Sequence, residues 1–320
     1  MDLGGIVAAL LPVFFVLALG YAAGKCNAFD AREAAGLSKL AISFALPASL
    51  FVAMTEIPRT LLLQQGRLVV ALILAQVGLF VVAWAALNLI SSLRGAPAIL
   101  YALMLSISAT PDFGLAVLKP VLGPTAPGAV ALVALSINLV VPATVVLLDV
   151  DAARHENMAQ NGSTSSPILT GLSSGLKSPL LWATVVGIAV VLAKVPLPRV
   201  IGACFSLIGS TTSGVAVFAV GLVLSAHAFR FSRAVFLGTI GRLTIQNVVL
   251  LILLRLLRVD SPFSREALIC CSFPLATIVV LFAARYKSCE TQTASMLLLS
   301  ILSLTVTIPI VLWLTHRWPV

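Results

Sequence analysis

The chain has 320 residues, 60% of them hydrophobic and 10% charged, with a mean hydropathy of +1.12, a net charge of +9 and a pI near 9.8. Too few polar residues remain to give a soluble particle its outer face, so lipid must solvate much of the surface. The twenty Lys and Arg are spread along the loops without a basic cluster, which argues against nucleic acid and for anionic headgroups and an anionic solute as partners.

In chain order, apolar runs of about twenty residues, the length that crosses the hydrocarbon, begin with Ile6 to Ala23. Asp2 precedes this first run, and Lys25, Arg32 and Lys39 follow it. It lacks the basic leader of a secretory signal peptide, so it reads as a retained span with its N-terminus outside. The second span, Ala34 to Met54, contains Pro47, which is expected to kink the helix and to line a cavity. The third is Leu68 to Ile90.

The fourth, Ala98 to Leu122, is interrupted by Pro111 and Asp112. A carboxyl at bilayer depth is expensive, and the proline removes a backbone donor beside it. Two such costs at adjacent positions predict a broken helix lining a polar cavity, the way many secondary transporters build their substrate sites. The fifth span, Ala126 to Leu148, carries the neutral polar residues Asn138 and Thr144.

From Asp149 to Ser178 the composition turns polar and rich in Gly, Ser and Asn, as in a flexible linker. Five further spans follow: Pro179 to Val195, Val200 to Ala226, Ala234 to Leu254, Ala267 to Ala284 and Thr293 to Leu314. The seventh contains the run Ser210-Thr211-Thr212-Ser213-Gly214, where a helix can loosen beside a cavity. The eighth holds Arg242, with Gln246 and Asn247 on the next turn. Arg242 has three readings: it neutralises Asp112, it attracts a carboxylate with its planar fork, or it snorkels to the inner headgroups. Snorkelling is the favoured one. Gln246 and Asn247 read as polar glue between helices.

The halves echo each other. Ser136 and Pro142 in span five match Ser303 and Pro309 in span ten at a shift of 167 residues; Pro111 matches Pro274 in span nine at a shift of 163. Five spans per half forces opposite orientations, so the expected architecture is an all-α integral membrane protein of ten transmembrane helices in two inverted five-helix repeats. Residues 1–149 form the first repeat, 150–178 a cytoplasmic linker and 179–320 the second repeat. Both termini then lie on the periplasmic side of a bacterial inner membrane.

The stretches LLPVFFVLALGYAAGK, LSKLAISFALPASLF, TTSGVAVFAVGLVL and SFPLATIVVLFAARYKSCETQTASMLLLSILSLTVTIPIVLWL resemble the auxin efflux carrier family, which includes bacterial malonate-type permeases and plant auxin exporters. The resemblance runs along nearly the whole chain. It implies ten helices in two inverted five-helix repeats, with broken helices four and nine crossing near the membrane centre, and a scaffold side holding helices one, two, six and seven. The family's Pro-Asn pair in helix four is here Pro111-Asp112, its Gly-x-Pro is Val117-Leu118-Lys119-Pro120, and Val279 stands where plant exporters have the crossover proline of helix nine.

The expected function is alternating-access transport of small organic anions, mono- or dicarboxylates of malonate or auxin type, and not an enzymatic reaction. The alternative is a membrane-embedded sensor that binds a solute without moving it. The expected substrate- or ion-binding residues are Pro47, Pro111, Asp112, Asn138, Arg242, Pro274 and Thr277. Asp112 is the expected coupling residue, since burial favours the neutral carboxyl; its structural alternative is an acid paired with Lys119 or Arg242. No cofactor or metal is expected, the coupling ion being a proton or sodium. The partners are the substrate, the lipid bilayer and, in a homodimer, a second copy. Cys26, Cys204, Cys270, Cys271 and Cys289 read as small apolar fillers.

Overall fold

A computed structural model of the chain describes residues 3–90, 93–111, 118, 126–159, 177–193, 197–226, 232–259 and 263–317. Every predicted span is occupied by helix there. They are α1 (Leu3–Lys25), α2 (Ala31–Leu40), α3 (Leu46–Thr55), α4 (Arg59–Gln64), α5 (Gly66–Ile73), α6 (Leu79–Ile90), α7 (Ala96–Ser106) and α8 (Ala126–Ala159). After the polar segment come α9 (Pro179–Leu192), α10 (Arg199–Gly209), α11 (Thr211–Ala226), α12 (Arg233–Leu256), α13 (Ser264–Cys271), α14 (Thr277–Arg285) and α15 (Glu290–Arg317). Among the described residues the sole extended pairing is an antiparallel bridge between Ser108 and Leu275. Five stretches, Arg32–Thr55, Gly66–Leu89, Ala126–His155, Arg199–Ala226 and Arg233–Leu256, are long and apolar enough to cross a membrane.

Local chemistry sets the helix limits. Asp30 accepts from the Glu33 amide at 2.7 Å while the Glu33 carboxylate accepts from the Asp30 amide at 2.8 Å, a reciprocal cap that starts α2. Asn27, Arg258 and Lys287 take the left-handed conformation at three helix ends, and the next amide bonds back in each: Ala28 to Ala23, Val259 to Leu254, Ser288 to Ala283. Between α2 and α3 the residues Ala41–Ala45 form a π turn. Pro47, which has no N–H to give, follows directly, so the expected distortion is spread over the turn before it.

α8 runs to Ala159, past the expected end at Leu148. The polar stretch Asp149-Val150-Asp151-Ala152-Ala153-Arg154 is therefore helical, because Ala and Arg keep a helix going once an apolar segment has nucleated it.

Helix pairs pack through missing side chains. A Cβ on Gly20 would meet the Phe218 carbonyl, and one on Gly221 the Leu17 carbonyl and the Tyr21 amide at 2.8 Å, so α1 and α11 touch backbone to backbone. Gly24 faces Ser225 one turn on, extending a small-residue seam of the kind that brings helices together in lipid. Gly187 of α9 and Gly209 of α10 lie against Met54 and Ser49 of α3 in the same way. The large apolar side chains left outside, such as Phe15, Val82, Trp182, Leu207 and Leu237, are exposed, as a lipid-facing surface requires.

Candidate functional site

Two helix breaks meet inside the protein. α7 ends at Ser106, α13 ends at Cys271, and the extended residues that follow pair across Ser108 and Leu275. Ala109 donates its amide to the Pro274 carbonyl at 2.9 Å, and the Thr110 hydroxyl donates to the Cys270 carbonyl at 2.8 Å. The Leu275 amide is taken by the Ser300 hydroxyl of α15 at 3.0 Å. Each backbone group that a broken helix would strand in hydrocarbon costs several kcal/mol unless partnered, and these bonds meet that demand.

The carbonyls are met by Arg242. Its Nε and Nη2 donate to Ile107 O at 3.2 and 2.9 Å, Nη2 also to Pro274 O at 3.0 Å, and Nη1 to Phe273 O at 2.8 Å. α12 delivers this residue on its one buried face, Val235, Thr239, Arg242, Gln246, Leu250 and Leu254, spaced at helical intervals. Gln246, one turn on, donates to Ser106 O at 3.1 Å. Arg242 is 0% exposed, so it does not snorkel. The favoured sequence reading fails because the carbonyl-rich helix ends offer the guanidinium closer partners than the headgroups do. Each helix C-terminus carries roughly half a negative charge, so the two together offset about one cation.

On the other side of the crossing lies a cavity of about 230 Å³. One wall is the π turn and α3, through Ala41, Ile42, Leu46, Ser49, Leu50 and Ala53; another is Ala134, Ile137, Asn138 and Val141 of α8. Gly209, Ser210, Thr212 and Ala216 form the third, at the turn that separates α10 from α11. The breaks close it with Ser108 and Pro111 on one strand of chain and Ala276, Thr277, Ile278 and Leu281 on the other. The break in helix nine thus has a polarity: its carbonyl end faces Arg242, and the amide end that opens α14 faces the cavity. Amide ends attract anions.

Of the expected residues, Pro111, Asn138 and Thr277 lie together in this lining. Asn138 is 3% exposed, and its backbone carbonyl accepts from the Thr184 hydroxyl at 3.4 Å. Pro274 sits in the break itself, and Pro47 is buried beside Leu46 without lining the cavity. Arg242 stands behind the crossing, outside the lining. Asp112 and Lys119 lie outside the described residues. The expected loosening at Ser210–Gly214 is a turn at Ser210.

Sequence reasoning missed Ser49, Ser108 and Gln76, whereas the buried hydroxyl of Thr212 belongs to the run expected beside a cavity. Gln76 is fully buried in the π turn Leu74–Gly78, with the Cys271 thiol beside its amide. A lone Gln in a hydrophobic span was the available signal, as intramembrane polar residues default to function.

The membrane transport protein family model matches residues 5–312. The chain is also 30% identical over 305 residues, 95% of each chain, to the uncharacterized transporter YfdV of Escherichia coli strain K12. The YfdV proteins of Escherichia coli O157:H7 and Shigella flexneri match equally. An all-helical membrane chain with paired helix breaks around a buried cavity, matched over almost its full length, this protein belongs to the auxin efflux carrier family of membrane transporters.

Proposed function

We propose that the protein is a secondary carrier of small organic anions, with carboxylates as the substrate class, and that the 230 Å³ cavity is the substrate site. The observation that carries this reading is the polarity of the helix-nine break: the amide end of α14 opens into the cavity beside Asn138, while the opposite end is neutralised by Arg242. A carboxylate entering there meets backbone donors, the Asn138 amide and the hydroxyls of Ser49 and Thr212, with aliphatic walls for the rest of the molecule.

The mechanism is alternating access. The breaks and Arg242 form one cross-braced unit; glycine contacts join α1 to α11 and α3 to α9 and α10, and these five helices form another. Sliding the first past the second carries the site across the membrane. The two broken helices are equivalents in two inverted repeats, residues 1–149 and 179–320 joined by 150–178, and both termini face the periplasm. Asp112, next in sequence to Pro111 of the lining, couples movement to a proton or to sodium.

Counterflow of labelled carboxylate into proteoliposomes tests the carrier reading, with candidates chosen by a thermal-stability screen of the purified protein. Stabilisation by a carboxylate without counterflow would make the protein a solute sensor.

A further inference from the structure

The far ends of both broken helices are held by a single helix, at a place the transport reading does not use. α7 begins at Gly95, whose φ of +67° puts it in a region that favours glycine. It has no side chain to cap the helix, and Pro97 on the first turn has no N–H. The cap comes instead from Asp151 of α8, whose Oδ2 accepts from the Ala96 amide at 2.7 Å. A Cβ on Gly95 would stand 2.5 Å from Asp151 Oδ1, so the glycine also makes room for the carboxylate.

Two residues earlier on α8, Asp149 Oδ1 accepts from the Tyr286 hydroxyl at 2.6 Å. Tyr286 follows the last residue of α14. Burial and the neighbouring carboxylate push the Tyr286 phenol pKa up, so the hydroxyl keeps its proton and remains a donor. Positions two apart on a helix point about 200° away from each other. Asp149 and Asp151 nonetheless reach neighbours that lie together: Ala96, Pro97, Asp151 and Tyr286 line one cavity, so α8 packs against the start of α7 and the end of α14 side by side.

We infer that Asp149 and Asp151 are positioning residues, a double tie through which α8 makes the outlying ends of both broken helices move together during transport. Its functional consequence rests on the carrier reading; the ties themselves do not. Each bond is charge-assisted or buried enough to persist, and each joins α8 to a different half of the crossing. Arg242 joins the same halves at their inner ends. The crossing is thereby braced at its middle and at its rim.

Hydrogen–deuterium exchange on the detergent-purified full chain tests the tie without requiring transport. Tyr286→Phe removes one hydroxyl and should raise exchange at least about threefold both at its own end of α14 and in the first turns of α7. Asp151→Leu should do the converse, and Asp151→Asn, which keeps a capping oxygen, should restore wild-type protection. Exchange that rises only at the end carrying the substitution would overturn the proposal, because the ties would then be independent. In proteoliposomes both uncapping variants should lower counterflow kcat about fivefold with KM within about twofold. A raised KM at unchanged kcat would also overturn it. Absence of counterflow for the wild type would sink the carrier reading, and the exchange result would still decide the tie.

Discussion

The amide of Ala109 donates to the carbonyl of Pro274 at 2.9 Å, so residues from opposite halves of the chain complete each other's backbone bonding where both helices are broken. Neither break is stable alone in lipid, since its carbonyls would face hydrocarbon. Arg242 closes the arrangement from behind by bonding to Ile107, Phe273 and Pro274.

Arg242→Met should therefore cost more than any other single change in α12. It strands the buried carbonyls of Ile107 and Phe273, each worth about 1–3 kcal/mol of desolvation, leaves the Pro274 carbonyl with the Ala109 amide alone, and removes the cation that offsets two helix ends. We expect a large fall in melting temperature and in monodisperse yield by size-exclusion chromatography. Arg242→Lys keeps the charge but not the fork, and should fall between Met and wild type. A wild-type melting temperature for Arg242→Met would contradict the brace.

Gly20→Leu and Gly221→Leu should each destabilise the protein by about 3 kcal/mol or more, because the new side chain meets backbone rather than a movable side chain. Gly36, which has nothing within 4 Å of a built Cβ, is the matched control, and Gly36→Ala should be neutral or slightly stabilising. Thermal unfolding in one detergent compares all three.

Pro111→Ala should lower transport more than it lowers folding yield. Pro111 lines the cavity, and the bonds at Ala109, Thr110 and Arg242 already hold the backbone before it. Normal specific activity with a collapse in yield would mark the proline as purely structural.

Asp112→Asn should preserve the fold and proton-independent exchange while flattening the pH dependence of driven uptake. In the wild type the rate should rise as external pH falls, since the carboxyl must bind a proton on one side and release it on the other. The amide cannot titrate. Wild-type rates with an unchanged pH profile would assign coupling elsewhere, and uptake driven by a sodium gradient at fixed pH would move it from proton to sodium.

What the sequence determined by itself was local. Apolar runs of membrane length located the helices of every span but not the short α4, Pro111 and Pro274 marked the interrupted ones, and Asn138 and Thr277, named as binding residues, line the cavity. These follow from hydrocarbon thickness, from the missing proline donor and from the cost of polar groups at depth, all properties of short segments. The tertiary structure alone decided what each polar side chain meets. Arg242 read as a snorkelling residue because span position shows only its distance from the headgroups. Its true partners are carbonyls that become available when two distant helices break at the same point. Asp149 and Asp151 looked like the start of a solvated linker, and became a tie and a cap only because α8 continues past the apolar run, beside the ends of α7 and α14. Hydrophobicity fixes where a segment lies in the membrane; the partner of a polar group depends on which backbone atoms the packed helices leave unsatisfied beside it.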